Sequence, residues 1–254
     1  MGAALSGRRD SNCEYLKEDE MDHLKLRELG IPGCLPEFSL QPGRTALMMI
    51  DVYLRSVDRR YGFAARAREL GIEHELEPYY DRVENVVIPN LSRLLKVCRE
   101  KGIDVVHVKV GAQTLDARDA GWRYKGWKMF SSLKEELEIC EQLRPIDGEV
   151  VVSKTTSGVF NSTNIEVILK NLGVEYLIIG GVITGNCVET AVRDASDRDF
   201  KVYLLEDCCA SPCHEAHVFS IRHMDKNYAH VKTTSEVIRE IDGTWPKAVR
   251  AEAV

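Results

Sequence analysis

What most constrains this chain is a series of short, nearly unbroken apolar runs, each closed by a polar residue or a glycine. They lie at Ala46–Ile50, Val105–Val110, Val150–Val152, Tyr176–Ile179 and Val202–Leu205, with a weaker one at His230–Val231. A strand with one wet face alternates apolar and polar residues, whereas one that is apolar at successive positions needs cover on both faces. A parallel sheet between two layers of helices supplies that cover. Helical spacing falls between the runs. Val83, Val86, Val87, Leu91, Leu94, Leu95 and Cys98 recur at three-four intervals before Lys101-Gly102. Ile165, Ile168, Leu169 and Leu172 do the same before Gly173. A third helix is expected from near Cys187 through Val188, Ala191, Val192 and Ala195, and a fourth from Glu215 to about Asp225. This alternation predicts a single-domain, three-layer α/β/α fold around a mostly parallel, doubly wound, Rossmann-like sheet of about six strands. The domain is placed at residues 41–240, between an N-terminal extension (1–40) and a C-terminal tail (241–254).

Composition narrows the partners. The 34 basic against 40 acidic residues give a net charge of −6, so no broad basic face exists to displace counterions from a nucleic acid. No apolar run approaches the ~20 residues of a membrane-spanning helix, so neither nucleic acid nor membrane is expected as a partner. The eight cysteines show no repeating spacing, and no secretory signal is read at the N-terminus. That pattern fits reduced thiols and a cytoplasmic location. Cys208, Cys209 and Cys213 lie near His214 and His217, but adjacent cysteines chelate poorly and no second Cys-x-x-Cys pair completes a zinc site. Buried thiols at a strand end are expected there instead. Met1–Ser6 fits an N-myristoylation pattern formally, although a flexible tail through about Glu20 is the plainer reading.

Two connections break the short-loop rule for alternating strands and helices. Residues 53–78 and 111–148 follow the first and second runs and far exceed the usual length of such loops. In parallel sheets the ligand crevice lies beyond the carboxyl ends of the strands, so both excursions should hang over it. They carry Tyr53, Arg55, Tyr61 and Phe63, then Trp122, Tyr124 and Trp127, residues that could equally pack the excursions or a subunit interface.

Polar residues close three of the strands on that same side. Asp51 ends Ala-Leu-Met-Met-Ile, Lys154 follows Val-Val-Val-Ser, and Cys187 follows a glycine-rich turn and opens a helix. A thiol at a helix N-terminus faces backbone N–H groups and the positive end of the dipole, which favour thiolate. Glycines 180, 181 and 185 allow close approach of backbone to a ligand, and amides there could hold an oxyanion. Singly, each residue has a bland alternative: a cap, a solvated lysine, a packed thiol. Adjacent strand ends could bring the three together.

These segments resemble the isochorismatase-like cysteine hydrolases, a family with carbamoyl- and ureido-cleaving members such as N-carbamoylsarcosine amidohydrolase, ureidoacrylate amidohydrolase and biuret hydrolase. The similarity runs from about Arg44 to Val237. It rests on Arg44-Thr-Ala-Leu-Met-Met-Ile-Asp51, Ser153-Lys154-Thr-Thr-Ser-Gly-Val-Phe160-Asn-Ser-Thr163, Gly181-Val-Ile-Thr184-Gly-Asn-Cys187-Val-Glu-Thr-Ala-Val-Arg-Asp194 and Leu205-Glu-Asp207. The resemblance implies a catalytic Asp51, Lys154 and Cys187. It also implies a cis peptide between Val182 and Ile183, with the N–H groups of Ile183 and Cys187 facing the substrate oxygen. The implied activity is cleavage of a C–N bond in a small linear amide or ureido compound through a thioester, releasing ammonia or a small amine. Tyr53, Arg55, Trp127, Phe160 and Asn161 are the candidates for substrate contact. A homodimer or homotetramer is expected, as is typical of the family.

Two departures bear on substrate and cofactor. Tyr53 stands where many members have Gln two residues after the catalytic Asp. The Asp-x-His metal motif is missing, and His74 has no such partner, so neither a metal nor another cofactor is expected. The rival readings are a hydrolase of a non-amide bond on the same scaffold and a non-catalytic assembly protein in which Cys187 merely packs.

Overall fold

A computed structural model describes residues 35–127 and 135–245 of the chain. The N-terminal lipidation pattern and most of the two terminal segments lie outside the described residues. Six strands form one sheet: β1 (Thr45–Ile50), β2 (Asp104–Val110), β3 (Val150–Lys154), β4 (Tyr176–Val182), β5 (Lys201–Ala210) and β6 (His230–Lys232). Their order is β3-β2-β1-β4-β5-β6, and every pairing is parallel. The chain winds outward from β1 to β3, then crosses back to β4 and winds the other way. The switch point therefore falls between β1 and β4, where a crevice opens in such sheets.

The continuous apolarity of the strands has the expected cause. Leu47, Met49, Val105, Ile178 and Leu205 enter one core, while Met48, Ile50, Val106, Val108, Ile179 and Leu204 enter the other. On the first face lie a short helix α3 (Glu77–Arg82), a wide turn at Val83–Val87 and α4 (Ile88–Lys101), together with the final helix α10 (Thr234–Thr244). Leu91, Leu94, Leu95 and Cys98 form the buried stripe of α4, which stops at Gly102 in the left-handed conformation (φ 66°). On the second face pack α7 (Ile165–Asn171), α8 (Glu189–Ser196) and α9 (His214–Met224).

Several boundaries differ from the sequence reading. β4 continues through Gly180-Gly181 and β5 through Glu206-Asp207, with a register shift between Ile179 and Gly181. Glycines and acids read as stop signals are instead absorbed by this bulge. At Gly181 (φ 136°) a Cβ would fall 2.0 Å from the Ile50 carbonyl oxygen, so no side chain fits there. The excursions contain structure of their own: α1 (Leu54–Val57) and α2 (Gly62–Glu69) in the first, and α5 (Trp122–Gly126) in the second. Short helix α6 (Val159–Ser162) precedes α7. Helix α10, capped by a reciprocal Thr233–Glu236 box, runs across residue 240. Residues 35–40 are also tied down. Leu40 is fully buried, its N–H donates to Glu240 at 2.7 Å, and Phe38 stacks on Tyr203. Among the described residues, no helix is long and apolar enough to cross a membrane.

Candidate active site

Asp51 is the first residue past β1. Its N–H still donates to Val108 O of β2 at 2.8 Å, but its φ of 55° lifts it out of the extended conformation. An Asp tolerates that left-handed geometry better than a branched residue would. Lys154 is the last residue of β3 and is wholly excluded from solvent. Its ammonium lies 2.9 Å from Asp51 Oδ2, and it donates to the Thr156 carbonyl at 3.1 Å and to Cys187 Sγ at 3.3 Å. With a longer contact to the Tyr124 hydroxyl at 3.5 Å, these acceptors occupy its three N–H donors, which is how so deeply buried an ammonium remains satisfied. Asp51 Oδ1 is buried and has no hydrogen-bond partner among the described residues.

Cys187 sits in the first, wide turn (Thr184–Val188) of the helix that continues as α8. That helix begins at Thr184, three residues earlier than the apolar spacing suggests, because Thr184, Gly185 and Asn186 carry no helical stripe. Thr184 is fully buried, and its hydroxyl is 2.9 Å from His217 Nδ1. Arg82 reaches the same imidazole at Nε2 (3.3 Å) and donates to the carbonyls of Cys209 and Glu206. Arg82 has no acceptor atom, so Nε2 accepts and Nδ1 carries the proton that Thr184 receives. Burial, with Arg82 and His214 adding to it, lowers the His217 pKa to about 4. The peptide between Val182 and Ile183 is cis.

The Cys187 thiol is not held as a ready thiolate. Burial and the Asp51 carboxylate outweigh the Lys154 ammonium and push it up to about 11. The helix-end argument from sequence is thus overridden, because the sulfur is out of solvent and beside an anion. Burial acts to lower the Lys154 pKa, but Asp51 and then Cys187 outweigh it and raise it.

Asp51 and Cys187 floor a cavity of about 210 Å³ lined also by Ser56, Phe63, Tyr124, Trp127, Ser157, Val182, Ile183 and Asn186. Ser56 and Phe63 come from the first excursion and Tyr124 and Trp127 from the second, so both do overhang the strand ends. Trp127 alone of the five residues proposed for substrate contact lines this cavity. Tyr53 is fully buried behind it, clustered with Val110 and Tyr124, and forms a bridge to Ile139. Arg55 pairs with Glu136. Phe160 packs against Phe200 in the second core. Asn161 donates to Asp194 at 3.2 Å. The last two point away because α6 turns them toward α8. Ser56, Tyr124, Ser157 and Asn186 line the cavity without having been named as site residues from sequence. The Tyr124 hydroxyl is 3.3 Å from both Cys187 Sγ and Ser157 Oγ. Its aromatic character in the excursion was visible, but nothing local indicates which aromatic reaches the sulfur.

Among the described residues, no group of three or more His, Cys, Asp or Glu side chains could hold a metal ion. Cys208 and Cys209 are buried on β5, whereas Cys213 is exposed past its end and donates to Glu215, which corrects the expectation of three buried thiols.

The isochorismatase domain profile matches residues 77–236. The chain belongs to the isochorismatase family. The matched span includes Lys154 and Cys187 and begins after Asp51. Among relatives of this family member, maleamate amidohydrolase from Pseudomonas putida is 27% identical over 65% of this chain and 78% of its own length. N-carbamoylsarcosine amidase from Arthrobacter is 23% identical over 74% of this chain and 76% of its own. A crystal structure of a cysteine hydrolase from Pseudomonas syringae pv. phaseolicola superposes with a TM-score of 0.69 at 22% identity, covering 82% of this chain and 97% of that one. That likeness is one of fold.

Proposed function

We propose that this protein is a cysteine-dependent amidohydrolase that cleaves a C–N bond of a small linear amide or ureido compound. One observation carries the reading: a buried ammonium, Lys154, lies within hydrogen-bonding reach of both the Asp51 carboxylate and the Cys187 sulfur, and those two groups line a cavity. Amidase-named relatives support the choice of bond.

Because the resting sulfur is a thiol, attack and proton transfer are coupled. Cys187 adds to the substrate carbonyl carbon as its proton passes to Asp51, whose Oδ1 has no competing partner among the described residues. The carbonyl π pair moves to oxygen, and the N–H groups of Ile183 and Cys187 receive that oxyanion. Collapse expels the nitrogen, which takes the proton from Asp51 and leaves as ammonia or an amine. The acyl group stays on sulfur as a thioester, or as a thiocarbamate when the substrate is a ureido compound. Asp51 then deprotonates water, hydroxide adds to the carbonyl, and the thiolate departs and regains a proton. Lys154 remains charged throughout and offsets the negative charge that shuttles between carboxylate and sulfur. The chemistry uses these side chains alone, and the reaction is read as metal-independent.

The test is ammonia release from a panel of primary amides, ureido acids and biuret analogues, with intact-mass detection of an acyl adduct on Cys187. Turnover should vanish in a folded Cys187→Ala variant. Undiminished turnover in that variant, or full activity that depends on an added metal, would overturn the mechanism.

A further inference from the structure

His217 takes no part in the proposed chemistry, yet it is tied to the turn that carries the sulfur. That turn (Thr184–Val188) is wide: the Val188 N–H reaches back to the Ile183 carbonyl at 3.4 Å. A wide turn departs from the regular helical ladder, so its amides point where neighbouring elements hold them. The neighbour here is α9. From its first turn His217 Nδ1 donates to Thr184 Oγ at 2.9 Å. The same helix lies so close that a Cβ on Gly185 would fall 2.9 Å from Ser220 Oγ.

The imidazole is itself fixed from behind. It is buried, and Arg82 donates to its Nε2 at 3.3 Å while also donating to the Cys209 and Glu206 carbonyls of β5 at 2.8 and 2.9 Å. Cys209 and Ala210 are the register partners of Gly181 and Val182 in β4. The Ile183 N–H is thus bracketed. Val182 before it is pinned to β5 through the sheet, and Thr184 after it is pinned to β5 through His217 and Arg82. Ile183 and Cys187 line the cavity, whereas Thr184 and His217 stand outside its lining.

We propose that His217 is a positioning residue for the reaction: through Thr184 it holds the turn whose Ile183 and Cys187 N–H groups receive the oxyanion. The proposal rests on the oxyanion arrangement of the amidohydrolase reading. Contacts that count only once charge develops on oxygen change kcat and leave KM nearly alone.

Two substitutions separate positioning from structure, because each keeps the function of one imidazole nitrogen. Asn sets its amide N–H near the place of Nδ1 and can still donate to Thr184, whereas Gln sets its carbonyl near the place of Nε2 and can still accept from Arg82. With the best amide of the panel, His217→Gln should lower kcat about a hundredfold with KM within about twofold, the scale for a misplaced group at a reacting centre. His217→Asn should recover most of kcat. Thr184→Val should lose as much as His217→Gln, and the double variant no more than either. A second measurement needs no hydrolysis. The Cys187 S–H adds across the carbonyl of butanal: a C–S bond forms, the π pair moves to oxygen, and the proton ends there. Protection of Cys187 from iodoacetamide by butanal should weaken about tenfold in His217→Gln, the worth of one good hydrogen bond, and return in His217→Asn. The labelling rate without butanal should stay the same.

Undiminished kcat in folded His217→Gln, equal losses in the Asn and Gln variants, or butanal protection indifferent to His217 overturns the proposal. So does a basal labelling rate that falls together with the protection, which would mark general collapse of the site. Protection that depends on His217, with no ammonia released from any amide, would keep the positioning role and remove the amidohydrolase reading. Ammonia release undiminished in His217→Gln would do the reverse.

Discussion

The Tyr124 hydroxyl stands 3.3 Å from the Cys187 sulfur, although the two residues belong to different layers of the protein. Tyr124 is delivered by α5 in the second excursion, and its ring also faces the Lys154 ammonium at 5.7 Å. Burial and the neighbouring sulfur raise its pKa, so the phenol keeps its proton and can donate to sulfur as charge develops there. Replacing it by phenylalanine removes that donor and leaves the ring. Tyr124→Phe should lower kcat/KM about a hundredfold with an unchanged melting temperature, the low end for loss of a preorganised donor. A loss under twofold would reduce the hydroxyl to packing.

Lys154 and Asp51 form a buried pair, and removing one member strands the other. Lys154→Met should destabilise the fold by about 3–5 kcal/mol in urea titrations. Adding Asp51→Asn to that variant should restore part of the stability and none of the activity, separating the cost of an orphaned charge from the loss of chemistry.

Cys187 offers a pH test with a definite sign. A thiol held up at about 11 should react with iodoacetamide slowly at neutral pH and faster as pH rises toward that value. The Asp51 carboxylate is one of the groups raising it, while Lys154 lowers it. In Asp51→Asn the labelling curve should therefore move to lower pH while turnover disappears. A wild-type rate already at its plateau at pH 7 would mean the thiolate is preformed.

His217 should tie stability to mild acid. It is buried and neutral, with Thr184 on one nitrogen and Arg82 on the other. Its folded pKa of about 4 lies below the ordinary 6.5, so an unfolded chain binds the proton first. The stabilising contribution is complete above pH 6.5 and is lost as pH falls through about 4. After allowance for partial screening by solvent it amounts to about 1–2 kcal/mol. Thermal melts should show wild type losing that amount across this window and His217→Gln losing little.

Much of the fold was legible because burial on two faces leaves an unambiguous mark. Met48 and Met49 point to opposite cores, and only a sheet covered on both sides requires apolar residues at both positions. The ends of elements were less legible. Gly180 and Glu206 read as terminators, yet both lie inside strands, the first at a bulge, and Asp207 beyond the second accepts hydrogen bonds from Thr234. Within the site, Asp51, Lys154 and Cys187 were found by their places at strand ends. Tyr53 and Arg55 were named from the first excursion and Phe160 and Asn161 from the lysine segment, and membership of a segment does not fix direction. Tyr53 turns under Tyr124, and Asn161 turns toward Asp194. The charge state of Cys187 was illegible for a similar reason: it depends on how deeply the sulfur lies and on an anion more than a hundred residues away.

The cavity has two kinds of wall. Its floor is carried by strand termini locked into register, whereas Ser56, Phe63, Tyr124 and Trp127 arrive on looped-out helical pieces that take no part in the sheet. Changes in those pieces can alter what enters without moving the sulfur, the carboxylate or the ammonium. Relatives with one inherited reaction can thus diverge in diet by remodelling the roof, and swapping residues 53–78 or 111–148 between them is the natural route to a new substrate range.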